Sequence, residues 1–76
     1  MKFDLSEVAR GKNLHLIGWN SGYLLVKFRG RAQQYVFGPD IPEAELAKIL
    51  SNPFPDRIFT TNIKSKFQCA KLGAKD

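Results

Sequence analysis

Cysteine and histidine are almost missing from this 76-residue chain, which carries one of each, Cys69 and His15. A single thiol cannot close a disulfide within the chain, and one imidazole with one thiol falls short of the His and Cys set of a structural zinc site. Neither device that small domains use to supplement a core is available, so apolar burial has to hold the fold and no metal or other cofactor is expected. Long apolar runs are lacking as well. The longest unbroken aliphatic or aromatic stretch is Tyr23 to Val26, and Asp4 and Glu7 interrupt the amino-terminal region. This leaves no membrane span of about 20 residues and no export signal, so the expected location is a bacterial or host-cell cytoplasm. No repeat, low-complexity tract or linker-like stretch divides the sequence. It reads as one domain over 1–76, with 1–12 holding at most a helical turn at Ser6–Ala9 and 70–76 forming a flexible tail.

Carboxylates are scarce where cations are dense. Twelve Lys and Arg against seven Asp and Glu give a net charge of +5. Residues 8–39 carry Arg10, Lys12, Lys27, Arg29 and Arg31 with no acid, and residues 57–75 carry Arg57, Lys64, Lys66, Lys71 and Lys75, again with none. Four of the acids fall between 40 and 56. An anionic partner suits such a distribution, although a basic surface also serves solubility alone.

The chain is rich in the side chains that bury most area: 43% of residues are hydrophobic, and six Phe, two Tyr and one Trp are among them. Leu14 to Trp19 and Tyr23 to Phe28 read as strands joined through Asn20-Ser21-Gly22. Gln33 to Phe37 reads as a third strand, reached through a loop at 29–32 and ended by Gly38-Pro39. With that loop, Val26 faces Tyr35 and Leu24 faces Phe37, so the large apolar residues stack on one face, which Ile17 and Trp19 share. A helix follows with Pro42 in its first turn, Asp40 near its cap, and Leu46, Ile49 and Leu50 as its apolar stripe. It ends by Asn52, because Pro53 disfavours helical geometry in the residue before it. Phe59, Ile63 and Phe67, spaced by four, predict a second short helix with Asp56 as its cap. The expected fold is α+β: a three-stranded antiparallel meander followed by two short helices packed on one face.

In this order of features the chain resembles the KTSC domain, a module named for its occurrence at the carboxyl end of some lysyl-tRNA synthetases and also found alone in bacterial and phage proteins. The matching residues are Leu14, Ile17-Gly18-Trp19-Asn20, the alternating Leu24, Val26 and Phe28, then Tyr35-Val36-Phe37, Ile41-Pro42, Leu46, Leu50, Phe59 and Ile63. They span about residues 13 to 67. The second tyrosine of the family's aromatic-x-aromatic motif is Phe37 here, and Pro53-Phe54-Pro55-Asp56 and Thr60 stand where the family often has Ser, Gly and Asn. The resemblance implies an RNA-binding role.

The residues themselves nominate candidates for that role. Lys27, Arg29 and Arg31 surround the second hairpin loop and form a cationic tip able to neutralise phosphates without reading sequence. Lys64 and Lys66, with Arg57 and Lys71, form a second basic strip whose interest depends on its lying beside that tip. Trp19, Tyr35 and Phe37 are expected in the core. The opposite sheet face, with Leu16, Tyr23, Leu25, Val36, Lys27 and Gln34, is expected to be an apolar patch beside cations, with Tyr23 as a stacking residue. Phe3 and Leu5 are candidates to cover it. No nucleophile with a base, paired carboxylates or phosphate-cradling glycine loop appears, so a non-enzymatic function is expected. His15 reads as an ordinary strand residue and Cys69 as a packing residue. The expected function is binding of RNA or another single-stranded nucleic acid through Lys27, Arg29, Arg31, Tyr23, Lys64 and Lys66. The alternative is a protein-interaction module, phage- or prophage-derived, docking through the exposed sheet face.

Overall fold

The computed structural model describes residues 2–72. The chain forms β1 (Ser6–Glu7), β2 (Leu14–Asn20), β3 (Tyr23–Phe28) and β4 (Gln34–Gly38), then α1 (Glu43–Ser51), α2 (Pro55–Phe59) with a π-helical turn at Thr60–Lys64, and finally β5 (Gln68–Leu72). The strands pair antiparallel in sequence order as one five-stranded sheet. The class is α+β as expected, but the sheet has five strands and not three. β1 replaces the helical turn expected at Ser6–Ala9, and β5 takes in residues 70–72 of the expected tail; 73–76 lie outside the described residues. Neither outer strand has the apolar alternation that marks a strand on its own, and both exist because β2 and β4 offer unpaired backbone groups to pair with.

The central hairpins adopt the register that alternation predicts. Val26 pairs with Tyr35 and Leu24 with Phe37, while Ile17 opposes Val26 on the other side. The β2–β3 turn is two residues, Ser21 and Gly22, both with positive φ (51° and 87°), which matches the twist of the flanking strands. Gly38 has φ 146°, and a Cβ added there would lie 2.7 Å from Cδ1 of Tyr23 on the neighbouring strand. The Tyr23 ring therefore covers bare backbone in β4, a packing that only glycine permits.

Alternation fails at one place. Leu14 pairs with Phe28 and Leu16 with Lys27, so His15 is an extra residue in the ladder, a bulge. Without it Leu14 and Leu16 would share a face. With it Leu14 turns into the core, where it is fully buried beside Ile17, Leu24, Val26, Phe37, Ile41, Ile49, Phe59 and Ile63. The helices cover this face of the sheet. Phe59 is the hub of their contact with it, meeting Phe37 edge-on at 5.2 Å and Phe28 at 6.0 Å, while Phe28 meets Tyr35 at 5.6 Å. Such edge-to-face pairs add about 0.5–1.5 kcal/mol each beyond area burial. Trp19, Tyr35 and Phe37 thus belong to the core or pack against it, as their spacing implies.

α1 ends at Ser51 as Pro53 requires, and its amino-terminal cap is Pro42, which makes no side-chain hydrogen bond. Asp40 does not cap it. The chain is placed there by Ile41, whose N–H donates to Gly22 O (3.0 Å) and whose carbonyl accepts from Trp19 Nε1 (2.7 Å). Asp56 does not cap its own helix either. Its carboxylate accepts from the backbone N–H groups of Lys12 (2.8 Å), Asn13 (3.2 Å) and Leu14 (3.1 Å), more than forty residues away. Three donors on one ionised acceptor make the strongest polar tie between the helical layer and the entry to β2.

Asp56→Ala removes that acceptor and leaves three N–H groups to compete for water. Because two of the bonds are exposed, the expected cost is about 1–2 kcal/mol, a fall in Tm of roughly 5–15 °C for a domain this small. Urea and thermal unfolding of the two proteins measure it, and an unchanged midpoint would show that the loop holds its place without Asp56.

Candidate nucleic-acid interface

A cleft of about 610 Å³ opens on the helix side of the sheet, between the β3–β4 loop, β5 and the π-helical turn. Arg29, Arg31 and Lys64 supply its cations, Asn13 and Cys69 its neutral polar groups, and Phe28, Tyr35 and Phe37 its apolar wall. Among the described residues no carboxylate lines it. Arg29 and Arg31 come from the loop that follows Phe28, where Gly30 has φ 75° and Arg31 N–H donates to Phe28 O at 3.3 Å. Lys64 closes the π-helical turn and reaches the same space because Phe59 and Ile63, on that element's other side, are sunk in the core.

The six candidate residues separate in the structure. Lys27 pairs with Gln34 and, by alternation with the core-facing Val26 and Phe28, lies on the far face of the sheet, away from Arg29 and Arg31. The expected three-charge tip is therefore two arginines, joined by Lys64 from a distant part of the chain. Lys66 is exposed and does not line the cleft. Tyr23 is half-buried and packed over Gly38, which occupies one side of its ring.

Arg29 has a structural duty besides its charge. Nε donates to Gly11 O and Nη2 to Val8 O, both at 3.0 Å, and Val8 N–H donates to His15 O at 2.8 Å. The guanidinium ties the segment between β1 and β2 to the hairpin, and Arg29 also lines the cleft. Asn13, missed in the sequence reading, enters the cleft because Asp56 holds its backbone; no local signal could have placed it.

The far face is less open than expected. Leu25 is buried at 4% exposure, Leu16, Tyr23 and Val36 are half-buried, and the amino-terminal segment crosses close to Gly18, where an added Cβ would lie 2.7 Å from Asp4 O and 3.0 Å from Leu5 Cδ2. Asn20 Nδ2 donates to Lys2 O and fastens the start of that segment. Leu5 thus helps to cover the face.

Cys69 is exposed as a residue, not packed away as expected, and it opposes Phe37 across the β4–β5 ladder. Two influences act on its thiol in opposite directions. Burial against the cleft wall is the larger and raises its pKa above the ordinary value, while the charges of Lys64 and Lys71 lower it. The basic surroundings alone suggest a depressed value, and desolvation outweighs them.

Compared with known proteins, the chain matches no family model and no curated protein. Among solved structures it is similar to the crystal structure of a KTSC domain protein from Yersinia pestis, with a TM-score of 0.79 and 26% sequence identity. The match covers 95% of this chain and 100% of that one.

The balance at Cys69 gives the cleft a chemical readout. The rate of iodoacetamide alkylation against pH is expected to have its midpoint above that of an unperturbed thiol, and Lys64→Gln is expected to move it further up, since removing a cation disfavours the thiolate. A midpoint that ignores Lys64 would mean that the lysine does not face the cleft.

Proposed function

Starting from a chain that carries the KTSC domain fold, we propose that the protein is a non-catalytic module that binds RNA or another single-stranded nucleic acid through phosphates seated in the cleft of Arg29, Arg31 and Lys64. One observation carries this reading: three cations from two distant parts of the chain line one cavity of about 610 Å³ that, among the described residues, no carboxylate enters. Like charges repel when brought together, and phosphate oxygens are the ligands that relieve such a cluster. The aromatic wall beside it offers apolar contact to bases, while nothing in the cleft has the fixed donor and acceptor pattern of a sequence-reading site. Lys27 and Lys66 add only to the general positive field, and Tyr23, outside the cleft, is not part of the site. Docking of a protein on the far sheet face has less support, because Leu25 is buried there and Tyr23 and Leu5 already cover backbone.

Fluorescence anisotropy of labelled single-stranded RNA, single-stranded DNA and duplex DNA over a range of salt concentrations tests the reading. Three phosphate contacts on a single strand predict a log–log salt slope of about −2. Arg31→Glu is expected to weaken RNA binding about tenfold or more, and Lys66→Glu, the same change in charge outside the cleft, distinctly less. Arg29→Glu is the poorer probe because it also breaks the bonds to Val8 and Gly11. Absence of binding to all three nucleic acids at low salt would sink the proposal, and equal losses for Arg31→Glu and Lys66→Glu would reduce it to non-specific attraction.

A further inference from the structure

A second, smaller groove of about 290 Å³ lies on the other side of the Lys12–Leu14 segment. Phe54 stands in it with 64% of its surface exposed, more than any other large apolar side chain among the described residues. The Arg57 guanidinium lies over one face of the ring, 5.8 Å from its centroid, which leaves the other face for a ligand, and Arg10 and Lys12 line the same groove. Its one carboxylate among the described residues, Asp56, accepts the N–H groups of residues 12–14, and none of the three cations forms an ion pair with a described residue. The backbone of Phe54 is also restricted. Pro53 and Pro55 restrict the backbone on both sides, and its N–H donates to Asn52 Oδ1 at 2.8 Å. An exposed aromatic ring on a restricted backbone, with a guanidinium over one face and two more cations in its groove, presents its other face as a stacking surface.

We propose that Phe54, with Arg10, Lys12 and Arg57 around it, is a stacking station for an unpaired nucleotide: the base lies on the Phe54 ring and its phosphate among the three cations. This deepens the reading of the cleft and rests on it in one respect, that the same strand continues from one groove to the other. Lys12 lines the small groove and the next residue, Asn13, lines the cleft, so the two sites adjoin across a single peptide. Planarity and negative charge in one ligand match an aromatic ring and cations in one concave site.

Anisotropy with an unmodified single-stranded RNA and with an abasic strand of equal length separates stacking from phosphate contact. Phe54→Ala is expected to weaken binding of the unmodified strand about tenfold, Phe54→Trp to preserve it, and neither to change binding of the abasic strand. A Phe54→Ala protein that binds the unmodified strand as tightly as its parent, while Arg31→Glu still weakens it, would overturn the station and leave the cleft standing. A titration of the ¹⁵N-labelled protein with adenosine monophosphate decides the station even if no strand binds the cleft. Amide shifts at Phe54, Asp56 and Arg57 support it, and their absence at millimolar nucleotide overturns it. Phe54-dependent binding to phosphatidylserine vesicles with no response to the nucleotide would also overturn it, in favour of a lipid surface.

Discussion

The carboxylate of Asp56 accepts the N–H groups of Lys12, Asn13 and Leu14, and by those three bonds the helical layer grips the segment that leads into β2. With that segment fixed, the bulge at His15 can rotate Leu14 into the core. The carbonyls of Val8 and Gly11 are then presented to Arg29, which locks the same segment from the hairpin side. A chain of 76 residues without a disulfide has few ways to hold an amino-terminal segment that buries little apolar area of its own. Here charge-assisted hydrogen bonds from both sides do it, one anionic and one cationic.

The same two ties explain where the positive charge gathers. Asp56 draws Lys12 and Asn13 against Phe54 and Arg57, and Arg29 lies beside Arg31 above the π-helical turn that carries Lys64. Both grooves therefore flank one peptide segment, and the one acid between them is consumed by backbone donors. Glu45 of α1 serves elsewhere: it accepts from Asn62 at 3.3 Å and pairs with Lys48 at 3.5 Å. Asp56 and Glu45 secure the framework, and the cations that line these grooves form no ion pair among the described residues. Arg29 is part of the framework and of the cleft at once.

Local order determined much of what can be read from the residues alone. The pairings of Val26 with Tyr35 and Leu24 with Phe37 follow from two-residue alternation and a short turn, the end of α1 from Pro53, and the inward set of Trp19, Tyr35, Phe37, Phe59 and Ile63 from burial of the large apolar side chains. The resemblance to the KTSC domain rested on these same apolar positions. Each depends on neighbours within a few residues, which is why they are legible. β1 and β5, the inward turn of Leu14, the partners of Asp56 and Arg29, the separation of Lys27 from the arginines and the joining of Lys64 to them were decided only by the tertiary structure. Those features depend on which backbone groups a distant strand leaves unpaired and on which polar atoms meet across the fold. No residue carries that information until the chain has closed on itself.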